Sequence, residues 1–285
     1  MNRILVTGST GNIGRHAVDQ LSAAGAEFRA MTRDPDAARL PAHLDVVRGD
    51  LTVPETLDAC LREIDTVFMV WVAPPDAIAG ALERIASHAR RIVYLTAPLK
   101  TAHPFFQQPN PSRAIAERME RLIGQSGLEW TFVRAGMFAG NARHFWGPQI
   151  RAGGVIRWPY LSAPTAPTDE RDIATIAVRA LCERHHASAD YVVTGPESLT
   201  QAEQLRTIGR AIGRSLQVEE MTPDDARSEL LPILGSAVFI DMLLSAWGAA
   251  LGRPAFVSST FAELTGKPPH SFLEWASDYE AEFRP

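Results

Sequence analysis

The chain has 285 residues and a mass of 31.2 kDa, room for one large α/β domain or a core with a smaller appendage, since a domain averages ~150 residues. With 46% apolar and 21% charged residues and a mean hydropathy of -0.07, its composition excludes a disordered or membrane-embedded chain. A net charge of -5 leaves no basic surplus for nucleic acid or an anionic membrane, and two cysteines, Cys60 and Cys182, are too few for a disulfide framework and read as buried thiols.

The first strand-like run begins at Asn2, which leaves no space for a leader, and no later apolar run reaches the ~18 residues of a membrane span. The expected location is the cytoplasm. Short apolar runs then alternate with helical patterns, the sequence sign of βαβ units and a parallel sheet. Strands are expected over residues 3–7, 27–31, 45–47, 66–70, 91–95 and 130–134, with helices over 13–24, 54–61, 77–89 and 112–126. Each strand is short and nearly all apolar, as befits parallel strands covered on both faces. After Arg134 the rhythm breaks, and residues 135–168, rich in glycine, proline and aromatics, read as loops and short elements. A helix over 171–183 and a strand over 190–193 are expected to return to the sheet. Helices follow over 201–212, 223–231 and 236–251, with a last one from Ser271. The pattern predicts a doubly wound parallel α/β sheet: a nucleotide-binding core over 1–150 and a small, mostly helical substrate-binding subdomain over 151–285, from which 171–195 rejoin the core.

Directly after the first strand stands Gly8-Ser9-Thr10-Gly11-Asn12-Ile13-Gly14, a G-x-x-G-x-x-G turn that opens a helix. Such glycines make a tight turn, let backbone approach a pyrophosphate and let helix pack on strand, while the helix N-terminus offers free N–H groups to the phosphates. With the strand, the helix and the βαβ context present, the loop predicts dinucleotide binding on a Rossmann-type fold. The second strand ends in Met31-Thr32-Arg33-Asp34. A guanidinium at Arg33 would clamp a 2'-phosphate and favours NADP(H) over NAD(H), whereas Asp34, one position on, could instead accept from a ribose 2'-hydroxyl. Asp50 and Leu51, after the third strand, are assigned to the adenine pocket, and Val72, beyond the fourth, to the same cofactor site. Thr52 also reads as a helix N-cap before Val53-Pro54.

These residues, together with Ser126-Gly127-Leu128-Glu129-Trp130-Thr131-Phe132-Val133-Arg134, Phe138 to Asn141, Asp172-Ile173-Ala174, Val193 to Glu197 and Thr265 to Phe272, resemble the NmrA-like branch of atypical short-chain dehydrogenases over nearly the whole chain. The resemblance implies a Rossmann core with a small C-terminal substrate domain that binds NADP(H) or NAD(H). Some such proteins reduce quinones, imines or activated alkenes, and others bind the nucleotide as redox sensors. Ordinary short-chain dehydrogenases carry a Tyr-x-x-x-Lys pair on the helix that here begins near Ser112, where this chain has neither residue and Ala116 falls at the lysine position. Tyrosine-driven ketone reduction is therefore not expected. The departure fits hydride transfer to an acceptor already activated, and equally no redox chemistry.

Two side chains offer alternative chemistry. Thr96, past the fifth strand, could face the nicotinamide or a substrate carbonyl, or could simply bond nearby backbone. His103, before Phe105-Phe106, is a titrating acid or a solvated loop histidine. The resemblance implies that Met137, Phe138 and Asn141 form a wall against nicotinamide and substrate. Phe106, Phe145, Trp146, Trp158 and Tyr160 could line an aromatic pocket for a flat apolar substrate, or pack a core. His185-His186 cannot share a helical face as metal ligands and read as surface residues; no metal site or nucleophile elbow is expected. The expected function is NADPH-dependent reduction of a small, largely apolar quinone, imine or enone of secondary metabolism, by a monomer or homodimer. The rivals are an NADP(H)-binding sensor without turnover and a cyclase or lyase on the same fold.

Overall fold

The structure is a computed structural model and describes residues 3–285, so Asn2, the expected start of the first strand-like run, lies outside the described residues. The chain runs through β1 (Ile4–Val6), α1 (Asn12–Ala23), β2 (Phe28–Thr32), β3 (Asp45–Arg48), a 3-10 turn at Pro54–Thr56, α2 (Leu57–Cys60), β4 (Thr66–Val70), α3 (Ile78–His88), β5 (Arg91–Thr96), α4 (Pro104–Gln107), α5 (Arg113–Gln125) and β6 (Glu129–Ala135). It continues with α6 (Asn141–Phe145), α7 (Gly147–Ala152), β7 (Ile156–Trp158), β8 (Pro164–Thr165), α8 (Glu170–Cys182), β9 (Ala189–Val193) and β10 (Leu199–Thr200). The last elements are α9 (Gln201–Ala211), β11 (Val218–Glu220), α10 (Pro223–Leu234), α11 (Ala237–Ala250), α12 (Thr260–Thr265) and α13 (Phe272–Asp278).

The seven-stranded sheet has the order β3-β2-β1-β4-β5-β6-β9. From β3 to β6 every pairing is parallel, which is the Rossmann-type order with its reversal between β1 and β4. The expected strands and long helices are present, with ends displaced by a residue or so. Two expectations change. The helix expected over 54–61 divides into the 3-10 turn and α2, and α10 passes Pro232 to end at Leu234, where Gly235 at φ 69° closes it in the left-handed conformation. The stretch expected as loops and short elements holds α6, α7, β7 and β8.

The chain divides into two compact units, the first comprising the chain up to Ala97, then Ala114–Arg134 and Glu170–Val192. The second comprises Pro98–Arg113, Ala135–Asp169 and Val193–Pro285. The division is interleaved and does not fall as a single cut at residue 150, because residues 98–113 and 135–150 fold with the later segments. In the first unit Leu5, Val67, Met69, Ile92 and Phe132 of the sheet pack with Ile78, Leu82 and Ile85 of α3 and Met119 and Ile123 of α5. On the other helical layer α8 packs on α1, where Gln20 Nε2 donates to the Arg171 carbonyl at 3.0 Å. The second unit has its own core, in which Phe145, Trp146, Trp158, Trp247 and Trp275 are all buried.

Two surface expectations are corrected. Cys182, at the last turn of α8, is exposed, and only Cys60 is a buried thiol. His186 is buried rather than superficial: its Nδ1 meets the Tyr191 hydroxyl at 2.7 Å, its Nε2 meets Glu183 Oε2 at 3.2 Å, and its carbonyl accepts from Thr131 Oγ1 at 2.6 Å. The contacts with Tyr191 and Glu183 thus hold the ring inward, while His185 stays exposed.

Candidate functional site

At the carboxyl ends of β1 to β4 the first unit opens into a cleft of ≈ 590 Å³. Its floor is the turn between β1 and α1. Thr7 ties the turn to the neighbouring strand, its Oγ1 donating to the Phe68 carbonyl at 3.0 Å and accepting from the Val70 N–H at 2.9 Å. Ser9 ties it to β2, donating from Oγ to the Met31 carbonyl at 2.9 Å. Gly8 sits at φ +61°, and a Cβ on Gly14 would lie 2.0 Å from the Gly8 carbonyl oxygen. Only glycine permits that approach of α1 to the turn. No side chain caps the start of α1 at Gly11. Its first-turn N–H groups and the positive end of its dipole are therefore left for an anion, which is the fit a pyrophosphate requires.

The sequence-assigned cofactor residues divide by role. Gly8, Thr10, Gly11, Arg33, Asp50, Leu51 and Val72 line the cleft. Ser9, Ile13 and Gly14 are buried and shape the turn from behind it, while Asn12 opens the helix. Arg33 is exposed on the cleft wall next to Asp34, whose Oδ1 accepts from the Ala37 N–H at 3.3 Å. Asp50 Oδ1 accepts from the Thr52 N–H at 2.9 Å and from Thr52 Oγ1 at 2.8 Å. These bonds, with the Arg33 charge nearby, hold the Asp50 carboxyl below the usual carboxylate range despite some desolvation. Arg15, which the sequence reading passed over, also lines the cleft and donates from Nε to the Thr10 carbonyl at 2.8 Å. Its signal was position alone, directly after the third glycine.

Thr96 does not join the cleft wall. It is buried, and its Oγ1 donates to Glu120 Oε1 at 3.4 Å. Glu120 stands on α5, the helix that lacks tyrosine and lysine, and it grips Arg134 of β6 with both oxygens, at 2.7 and 2.9 Å. Arg134 Nε also donates to Asp190 of β9. Burial alone would pull the Arg134 pKa down, yet the bonds to Glu120 and Asp190 outweigh it and raise it above the usual arginine range. This face of α5 therefore carries a locked ion pair and no proton donor for a substrate.

The second unit holds a separate, narrow pocket of ≈ 10 Å³ lined by residues including His103, Phe105, Phe106, Met137, Ala255 and Phe256. Three of its lining residues, His103, Phe106 and Met137, were sequence candidates, and Phe105 and Phe256 were not. Nothing in the local sequence marks Phe256, because it meets α4 only through the fold. His103 Nδ1 accepts from the Phe105 N–H at 3.3 Å as the N-cap of α4, and its Nε2 contacts the Pro254 carbonyl oxygen at 3.0 Å. A carbonyl can only accept, so this contact calls for a proton on Nε2 while Nδ1 accepts. Both ring nitrogens are engaged within the fold, so a role as catalytic acid would require one of these contacts to break.

The aromatic-pocket expectation also changes. Trp146 and Trp158 are 2% and 0% exposed and belong to the second unit's core, where Trp158 Nε1 donates to Gln201 Oε1 at 2.6 Å. Rings this large bury more surface in a core than a pocket wall would allow. Phe145 joins them, and Tyr160 packs on the same core with its hydroxyl against Gly248 of α11. Phe138 bridges to Thr168, and Asn141 donates from Nδ2 to the Met137 sulfur at 2.9 Å; neither lines the pocket. Among the described residues no group of three or more His, Cys, Asp or Glu could hold a metal ion, and no helix is long and apolar enough to cross a membrane.

A family model described as NAD(P)H-binding matches residues 8–152. Over 288 residues the chain is 35% identical to a (4-alkanoyl-5-oxo-2,5-dihydrofuran-3-yl)methyl phosphate reductase of Streptomyces griseus, covering 99% of each. It is 32% identical to an NAD(P)H azoreductase of Xenophilus azovorans, over 98% of this chain and 99% of the relative. Its fold matches an NADPH-dependent quinone oxidoreductase of Escherichia coli with a TM-score of 0.81 at 19% identity, over 97% of this chain and 99% of the other. Turn, sheet order and full-length likeness agree, and the chain belongs to the NAD(P)H-binding, NmrA-like family of atypical short-chain dehydrogenases.

Proposed function

We propose that the protein is an NADPH-dependent reductase of small, uncharged, largely apolar acceptors whose double bond is already electron-poor. The observation that carries this reading is the cleft, where an uncapped helix start and a glycine turn stand at one end and Arg15, Arg33 and Asp50 line the walls. The first-turn N–H groups of α1 would hold the pyrophosphate, Arg33 with Arg15 the 2'-phosphate, and Asp50 the adenine amino group. Bound NADPH supplies the hydride. Asp34 is turned to the Ala37 N–H, which weakens its claim on a ribose 2'-hydroxyl and supports NADPH over NADH.

The acceptor class rests on what the second unit's pocket and α5 lack. No residue around the pocket carries a fixed charge. Its hydroxyls are engaged: Thr165 accepts from Gln204 Nε2 at 2.9 Å, and Thr194 accepts from the Ser258 N–H at 2.9 Å and donates to the Gly195 carbonyl at 3.0 Å. A walled, apolar pocket of this kind favours a neutral, flat group. An acceptor whose electrons are already withdrawn needs little proton assistance, so the missing tyrosine and lysine on α5 matter least for such a substrate. The names of the two relatives point to the same electron-poor class, an azo compound and an alkanoyl-oxo-dihydrofuran; the latter carries a methyl phosphate, for which the pocket here offers no fixed counter-charge.

The test follows NADPH absorbance against quinones, conjugated lactones, imines and azo compounds, beside binding of NADPH and NADH. Oxidation by at least one class is expected, and Arg33→Ala should weaken NADPH roughly 10- to 100-fold, the worth of a charge-assisted hydrogen bond, while leaving NADH unchanged. Tight NADPH binding with no oxidation by any acceptor would overturn the reductase reading in favour of a nucleotide sensor.

A further inference from the structure

The pocket of the second unit is too small for any acceptor: ≈ 10 Å³ holds about one water, whereas ligand sites run to roughly 300–1,000 Å³. Two of its walls are α4, which carries Phe105 and Phe106, and the segment carrying Ala255 and Phe256, while Gly136, Met137, residues 164–166 and Thr194 close the remaining side. One side chain spans the first two. His103 caps α4 through Nδ1 and donates from Nε2 to the Pro254 carbonyl, a residue 151 positions away. Its ring also meets Phe106 edge-on, with centroids 6.1 Å apart.

We propose that His103 is the latch of this pocket: a positioning residue whose Nε2–H bond to Pro254 holds the walls together and sets the size of acceptor admitted. The proposal rests on the reading of this pocket as the acceptor's. Other ties fix each wall to its own surroundings, α4 also packs on α11 just before Pro254, and the His103 bond joins the two segments directly at the pocket. Arg113 donates to the Phe106 carbonyl at 2.9 Å and to the Leu99 carbonyl at 3.3 Å, so α4 is anchored behind. The Ala255 N–H donates to Ser198 Oγ at 2.7 Å, which anchors the opposite wall. Opening along this seam breaks the His103 bond, and the fraction of molecules open scales the apparent affinity for an acceptor.

The two ring nitrogens can be separated by substitution. His103→Asn keeps an oxygen near Nδ1 to cap α4 but cannot reach Pro254, whereas His103→Gln keeps a donor near Nε2. The latch predicts that Asn lowers KM for a bulky acceptor about fivefold, the worth of one hydrogen bond, with kcat held, and that Gln returns KM to the wild-type value. A second readout needs no turnover: amide hydrogen exchange at Ala255, Phe256 and Val257 should quicken in the Asn variant and slow again in Gln. A kcat loss in both variants with KM unchanged would make His103 a catalytic acid and overturn the latch. So would a KM that rises in Asn, or exchange that does not respond. If the wild type reduces no acceptor at all, the reductase reading fails, and the exchange measurement still decides the latch.

Discussion

Arg33 and His103 show how far single residues could be read. The position of Arg33 was legible because it depends on a local frame, the end of β2, and the structure puts it on the cleft wall. His103 was legible as a chemical group and not as a bond, since its partner Pro254 is distant in sequence and offers only a backbone carbonyl. Tyr94 was not singled out, yet it carries the clearest titration. It is 3% exposed, and burial pushes its phenol up to about 12, with a Thr96 hydrogen bond opposing and Glu120 adding to the shift. An unfolded tyrosine titrates near ~10, so the folded state holds this proton more tightly. The contribution to stability is full below the unfolded value and is lost as pH rises from there through about 12. In urea titrations the wild type should lose roughly 2–3 kcal/mol over that window at ~1.4 kcal/mol per pH unit. Tyr94→Phe should lack this loss, and an identical slope in both proteins would remove Tyr94 as its source.

Among elements, the strands were legible because parallel strands covered on both faces are written as short apolar runs, and the glycine turn because its spacing has one mechanical use. The pair that ties α5 to β6 was not. Glu120 and Arg134 each look like ordinary charged residues, and only the packing of α5 on the sheet shows that their side chains are 8% and 2% exposed. Removing one partner of a buried pair strands the other charge, which costs about 3–5 kcal/mol, whereas replacing both by apolar groups is far milder. Glu120→Ala leaves Arg134 with Asp190 and the Ala97 carbonyl, and is therefore expected to lower unfolding stability by up to about that amount. Glu120→Leu combined with Arg134→Met should recover most of it, even though Asp190 loses its arginine. Chemical denaturation of the single and double variants checks this, and equal losses in both would show that the pair itself, rather than the stranded charge, supplies the stability. The short strands and helices between residues 135 and 169 had no such pattern, because their burial comes from tryptophans that pack across long sequence separations.

For the whole molecule, the nucleotide-binding core was readable in outline but its boundary was not. Composition changes gradually along the chain, while the units exchange segments at Ala97, Arg113, Arg134, Asp169 and Val192. A fragment ending at residue 150 would lack α8, the helix that packs on α1 in the full chain. Such a fragment should show no cooperative unfolding transition and no NADPH binding, in contrast to the full chain; a folded, binding fragment would mean that the first half is self-sufficient. On the proposed reading of the second unit's pocket, the interleaving also governs how acceptor range could be exchanged between relatives. A recombinant swapping everything after one crossover would mix sheet strands of two parents, whereas crossovers at the five junctions would carry His103, Met137 and Phe256 across together and leave the nucleotide cleft with its original parent.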